Sequence, residues 1–362
     1  MKKYITVRRF FVAAALLTGS LSFSSCENDN EGPSGEYAQD AVLVSNEGNF
    51  NSSNASVSYL NRSNGSVTNE IFKKANPEMV LGDVLQSMAV HGDRAFMVMN
   101  NSRKVVVANA NTFKAEGEIS GLEMPRYFVA LNDSKGYVTE WVTFSGNGRV
   151  AVVDLKTLTV TKIIEVGINP ERLLLAGGKL YVANREDNKL SVINTATDVL
   201  ETTIPVTHGP NGLALDNNNN LWVTSSGLKV YDPVTWEIST ETSAPGTLSK
   251  INTSSNTVVD TANFSSRSAS PGNLTTSKDK TRLYFTYNGK TYQQDPQVRQ
   301  LSRTPFIGRS FNALGVDPAT NYLYAARSTG YTSDGWVIRF NPSGAAVDSF
   351  RVGIAPNGFV FR

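Results

Sequence analysis

Cysteine and histidine are nearly missing from this 362-residue sequence, which holds one cysteine, Cys26, and two histidines, His91 and His208. A single cysteine excludes an internal disulfide, and so few thiols and imidazoles exclude a His/Cys transition-metal site. Charged residues make up 18% of the chain, and they form no basic stripe of the kind that grips nucleic acid. No Gly-x-Ser-x-Gly elbow offers His208 a nucleophilic serine. No glycine loop suited to cradling phosphates occurs, and nothing in the sequence calls for a cofactor. Asp216–Asn220 looks like a calcium loop at first sight, but it lacks the spaced acidic ligands and the closing glutamate. Long helical patterns are also absent. The apolar run Phe10–Phe23 is shorter than the roughly 20 residues a spanning helix needs.

What is present at the start is a basic segment, Met1–Arg9, then that apolar run, then Ser24-Ser25-Cys26. This is the plan of a secretory signal, so residues 1–25 are expected to be removed on export. The lone Cys26 just after it resembles the lipid-modified cysteine of bacterial lipoproteins, with Phe23 standing where leucine is usual. Residues 26–40 are polar and acidic, with Gly32, Pro33 and Gly35, and are expected to be a disordered tether. An acidic stretch behind the lipidated cysteine resembles the surface-export signal of Bacteroidetes lipoproteins. The implied location is the outer membrane, held by the lipid alone and facing the exterior. Removing Lys2, Lys3, Arg8 and Arg9 takes the formal net charge from +2 to −2, so the basic balance of the whole chain says nothing about acidic partners.

From about residue 80 onward one unit recurs: an anchor residue, a polar pair, an apolar strand, a turn and a second apolar strand. Pro170–Leu175 leads through Ala176–Lys179 to Leu180–Ala183, and Pro210–Leu215 leads through Asp216–Asn220 to Leu221–Thr224. The anchor falls at Leu85, Pro125, Pro170, Pro210, Pro271, Phe311 and Pro356, with spacings of 40, 45, 40, 61, 40 and 45 residues. Third and fourth strands such as Leu190–Ile193 and Val199–Ile204 complete each unit. Four short strands every 40 to 45 residues predict propeller blades. The 61-residue unit is read as one blade with an insertion at Thr235–Pro245. Gly358–Phe361 supplies a last strand, and Ala41–Val44, Ala55–Leu60 and Val67–Phe72 supply three more. One plus three makes a seventh blade beside six complete ones, and pairing the chain ends removes the open sheet edges. The expected fold is therefore all-β: a seven-bladed β-propeller over residues 41–362, its last blade closed by both termini.

The phrases Leu180–Asn184, Ser191–Asn194 and Pro210–Asp216 resemble those of the YncE-like propellers. The opening Val42–Phe50, behind a lipoprotein signal, resembles Bacteroidetes surface lipoproteins of the vitamin B12-binding BtuG group. That resemblance implies capture of a small-molecule ligand, with cobalamin as the named candidate, and hand-over to a TonB-dependent transporter. It implies no catalytic activity and carries no residue-specific motif.

A propeller predicts its own binding site, because the loops entering the innermost strands share one face with the loops joining second to third strands. The entering loops supply Arg126, Tyr127, Glu171, Arg172, His208, Asn211, Asn273, Asn312 and Asn357. The other set includes Glu47, Trp141, Arg185, Tyr287, Tyr292 and Arg327. Rings, guanidinium groups and amides suit a small ligand and a protein partner equally. Asparagines in such loops also serve as turn formers. Trp222 and Trp336 read as blade core, and the anchor prolines as stiffeners of the inner strands. Two further readings stay open: a metal-dependent hydrolase or lyase of lactonase type using Glu171 and nearby amides, and a protein-docking scaffold.

Overall fold

A computed structural model describes residues 34–362. The signal segment and Cys26 lie outside the described residues.

The chain folds into a seven-bladed β-propeller. Blades 1 to 7 are numbered from their innermost strands, Leu85–His91, Met124–Asn132, Pro170–Ala176, Pro210–Leu215, Gly272–Thr276, Ala313–Val316 and Pro356–Phe361. In blade 7 the inner strand comes from the C-terminus, and Ala41–Asn46, Ser56–Asn61 and Val67–Thr68 follow it outward. The closing register pairs Val42 with Phe361, Leu43 with Val360 and Val44 with Phe359. Pro356–Phe361 packs beside both the inner strand of blade 6 and that of blade 1, so the ring is complete.

The core is divided. Each pair of neighbouring blades shares its own apolar cluster, such as Phe96, Val107, Phe128 and Ala151 between blades 1 and 2. Tyr181, Leu190, Leu221 and Ile251 play the same part between blades 3 and 4. The strands alternate because one side chain packs onto the preceding blade and the next onto the following one. Both faces of the central strands are thus buried, and Lys179–Asn194 reads as two nearly continuous apolar runs.

Three expectations need correction. The outermost strand of blade 7 is only Val67–Thr68; Glu70 then adopts a left-handed conformation (φ 57°) and the chain enters a short helix, Ile71–Ala75. Ile71 and Phe72 are buried between blades 7 and 1, so their apolar character serves a core contact rather than a strand. Blade 5 has three strands, with a single bridge, Thr291 to Ile307, where a fourth would run. The segment after it holds Pro296 and Pro305, which lack the N–H a ladder needs. Packing also begins before residue 41: Tyr37 and Ala38, in the stretch expected as tether, are buried, and the Tyr37 N–H donates to the Asn111 carbonyl. The long unit behaves as read, with residues 226–246 inserted between the second and third strands of blade 4.

The anchor prolines do more than stiffen the chain. Three of them face a glycine on the third strand of the preceding blade, or just before it: Gly148 meets Pro170, Gly246 meets Pro271 and Gly335 meets Pro356. A Cβ on Gly148 would stand 2.2 Å from Pro170 Cδ and 2.7 Å from the Glu140 carbonyl oxygen. Neither atom can step aside. Gly148→Ala is therefore expected to cost about 1–3 kcal/mol through overpacking, read as a lower urea midpoint at unchanged slope.

Candidate functional site

The entering loops meet at one end of the central channel, where the mouth is a cavity of about 450 Å³. Glu47, Gln86, Arg126, Tyr127, Glu171, Arg172, Arg185, Asn211, Asn273, Asn312 and Asn357 line it, with Ser226, Ser270 and Gly272. A second cavity of about 270 Å³ continues inward between the inner strands, sharing Gln86, Tyr127, Arg172, Asn273 and Asn357 with the mouth. One repeat position explains half of this wall. The residue directly after each anchor is Gln86, Arg126, Glu171, Asn211, Gly272, Asn312 and Asn357 around the ring. A register shift just past the anchor in blades 1 to 5 interrupts the alternation there, so the residue after the anchor lines the mouth and in blades 2, 3 and 5 the following one, Tyr127, Arg172 or Asn273, lines it too. Gln86 was missed in the sequence, although its place after Leu85 is the same signal that marks Arg126 and Glu171.

The charged groups are arranged in pairs and stacks. Arg126 donates to Glu171 Oε1 from Nε at 3.1 Å and from Nη2 at 2.8 Å. Its guanidinium carbon lies 4.2 Å from the centre of the Trp141 ring, and the Trp141 Nε1–H donates to the Pro170 carbonyl at 3.2 Å. Trp141 therefore supports the site from behind Arg126 and is not part of the lining. Arg185 Nη1 lies 3.8 Å from the same Glu171 oxygen. Arg172 sits over the Tyr127 ring at 4.3 Å and has no acidic partner among the described residues. Burial pushes the Glu47 carboxyl above its usual range, against the pull of Arg126.

The asparagines are largely spoken for. Asn211 donates to Ser226 Oγ at 2.9 Å and to the Pro271 carbonyl at 2.8 Å, and its own oxygen accepts from Thr224 at 2.7 Å. Asn273 donates to the Phe311 carbonyl and Asn357 to the Leu85 carbonyl, at 2.9 and 2.8 Å. Each amide thus latches its blade to the anchor of the next, satisfying a backbone acceptor at the joint. Among the described residues the Asn312 side-chain amide N–H groups have no partner, and its oxygen accepts from the Ser328 N–H.

Four expected residues fall elsewhere. Tyr287 and Tyr292 line a side cavity of about 490 Å³ between blades 4 and 5. Their hairpin turns in two residues, Asn288 (φ 46°) and Gly289 (φ 72°), so no loop is left to reach the mouth. Tyr287 is buried, and its hydroxyl accepts from the Ser266 N–H at 2.7 Å. Arg327 lines a flank cavity of about 450 Å³ with Arg309 and Trp336. Trp336 is 38% exposed there, so it is no core residue, whereas Trp222 is buried as expected. His208 lies half-buried outside the mouth and contributes its carbonyl, which accepts from the Gly227 N–H at 2.9 Å.

The most exposed rings share one placement. Phe50, Phe144, Tyr231, Trp236 and Tyr331 are each more than half exposed, and all lie in loops joining second to third strands, on the face of the mouth. Among the described residues no three His, Cys, Asp or Glu side chains gather as a metal site would require. Glu171 is held between two guanidinium groups, and the neighbouring amides aim their donors at backbone carbonyls. The Asp216–Asn220 turn holds its carboxylate for itself: Asp216 accepts from the Asn218 and Asn220 N–H groups and from Trp222 Nε1. Burial pushes the Asp216 carboxyl up, and these hydrogen bonds outweigh it and hold it below the usual range.

Residues 40–361 match the family described as Domain of unknown function (DUF5074). The chain belongs to that family. No curated protein matches the sequence. Among solved structures it is similar to a quinonprotein alcohol dehydrogenase-like protein of Bacteroides thetaiotaomicron, with 12% identity and a TM-score of 0.63 over 90% of this chain and 78% of that one. A functionally unknown protein of Desulfotomaculum acetoxidans gives 10% identity and a TM-score of 0.63 over 89% and 98% of the two chains. Hydrazine synthase of Kuenenia stuttgartiensis gives 18% identity and a TM-score of 0.50 over 68% and 73%. At such identities the likeness shows the propeller fold alone.

Proposed function

We propose that this chain is a binding protein that captures a small nutrient at the channel mouth, displayed on the cell surface by a lipid on Cys26. The named candidate ligand is a corrinoid such as vitamin B12, passed on to a TonB-dependent outer-membrane transporter. The observation that carries the reading is the convergence of Arg126, Tyr127, Arg172, Arg185 and Gln86 from blades 1, 2 and 3 on one open cavity. These groups are positioned by stacking and ion pairing before any ligand arrives, which lowers the ordering cost of binding. The exposed rings on the same face offer stacking surface to a ligand larger than the cavity. The transporter and the corrinoid rest on the resemblance of Val42–Phe50 behind the signal segment.

Calorimetric titration of the purified protein with cobalamin tests the named ligand. Saturable heat with a Kd of micromolar or tighter, about −8 kcal/mol, is expected. A flat titration at those concentrations removes the corrinoid.

A further inference from the structure

The inner channel is unevenly charged. Among the described residues Arg172 is the only charged side chain that lines it, and no aspartate or glutamate does. The other two arginines of the mouth both lean on Glu171, whereas Arg172 stacks on the Tyr127 ring and forms no ion pair among the described residues. Its guanidinium makes no hydrogen bond to any described residue, so its five N–H donors are free.

The polar groups around it divide into committed and free ones. Ser45 donates to Asn357 Oδ1 at 2.7 Å and Ser87 to the Arg126 carbonyl at 2.8 Å. The Asn273 and Asn357 amides bond the blade joints. Gln86 Nε2 donates to the Tyr127 oxygen at 3.3 Å, which leaves the Tyr127 O–H free to donate in turn. The Thr275 hydroxyl has no hydrogen-bond partner among the described residues. What faces the channel is therefore rich in free donors, the Arg172 fork, the Tyr127 and Thr275 hydroxyls and the second Gln86 N–H, and the acceptors beside them, such as the Gln86 and Asn273 amide oxygens, are neutral.

We propose that the inner channel is an anion subsite in which Arg172, with Tyr127 and Gln86, receives a phosphate or carboxylate group of the captured molecule. This rests on the reading of the mouth as a ligand site and adds the chemical class of what enters it. A planar guanidinium pairs two N–H groups with two oxygens of either anion. The surrounding channel walls keep water from screening the pair fully. The stack on Tyr127 holds the fork in place beforehand.

Calorimetry of the purified protein with inorganic phosphate, succinate and glucose, at fixed ionic strength, tests the subsite. Phosphate or succinate is expected to bind and glucose to give no heat; whichever anion binds more tightly identifies the group. Arg172→Gln is expected to weaken anion binding at least tenfold, and Arg172→Lys to retain part of it. Arg303→Gln, in the side cavity between blades 4 and 5, is expected to change nothing. Unchanged melting curves for the Arg172 variants exclude unfolding as the cause. The subsite is overturned if no anion binds the parent protein, or if Arg172→Gln binds anions equally well. Cobalamin titrated in parallel separates the two claims. Equal cobalamin binding by the parent and Arg172→Gln, with no anion binding, sinks the subsite and leaves the mouth reading standing. Anion binding lost with Arg172, together with no heat from cobalamin, removes the corrinoid and supports the subsite.

Discussion

A chain ending at Ala355 is expected to lose cooperative unfolding altogether. The missing residues are the innermost strand of blade 7, whose five ladder pairs with Ala41–Asn46 join the two ends of the chain. They also carry Phe359 and Phe361, whose ring centres lie 6.1 and 5.3 Å from that of buried Tyr324. Gly315 of blade 6 comes so close that its Cβ would stand 3.0 Å from both phenylalanines. Loss of a packed phenylalanine costs about 3–5 kcal/mol, and the whole stability of a domain is about 5–15 kcal/mol. Two such losses, with an unpaired latch at Leu85 and a bare sheet edge at Ala41–Asn46, consume most of that margin. The expected readouts are a broad thermal transition by circular dichroism, dye binding by exposed apolar surface, and aggregation through the open edge. A sharp melt at the parent temperature would show that blade 7 closes without its inner strand.

Arg62→Ala is expected to destabilise the protein by about 3–5 kcal/mol, the usual result of stranding a buried charge. Arg62 Nη1 lies 2.7 Å from Asp317 Oδ1, and the two side chains are 12% and 0% exposed. The same guanidinium donates to the Arg362 carbonyl and reaches Asp40 at 3.6 Å. One side chain therefore ties blade 7 to the first hairpin of blade 6 and to both ends of the folded chain. Asp317 also accepts from the Ala319 N–H and the Thr320 hydroxyl, which cannot neutralise its charge. Adding Asp317→Asn to Arg62→Ala is expected to recover part of the loss, because the stranded charge is gone. Urea unfolding of the parent, both single variants and the pair measures this coupling. Additive effects would mean that the two side chains act independently.

The blade count was legible in the sequence because the repeat is local, and the ring closure followed from counting the strands left over. Alternating apolar strands, tight turns and the anchor spacing recur within each 40–45-residue unit, and the leftover strands at the two ends add up to one blade. Where the local pattern was ambiguous the reading failed. Val67–Phe72 looks like a strand, yet Ile71 and Phe72 serve a helix packed between blades. Lys290–Phe311 looks long enough for two strands, yet its prolines allow only one and a single bridge.

For the site, the anchor offset alone determined that Arg126, Glu171, Asn211, Asn312 and Asn357 share one ring of positions with Gln86, because each stands at the same place where its inner strand enters the blade. Only the tertiary structure decided what those side chains do there. Which arginine pairs with Glu171, which amide is tied to a neighbouring anchor, and why Tyr287 and Arg327 turn away from the mouth all depend on distances between blades. Those distances are set by ring closure, which joins residues far apart in the chain, and by contacts between neighbouring blades such as Gly148 against Pro170. The lone charge of Arg172 in the inner channel is a fact of that kind: the sequence shows an arginine, and the ring shows that among the described residues no acid lines that cavity with it.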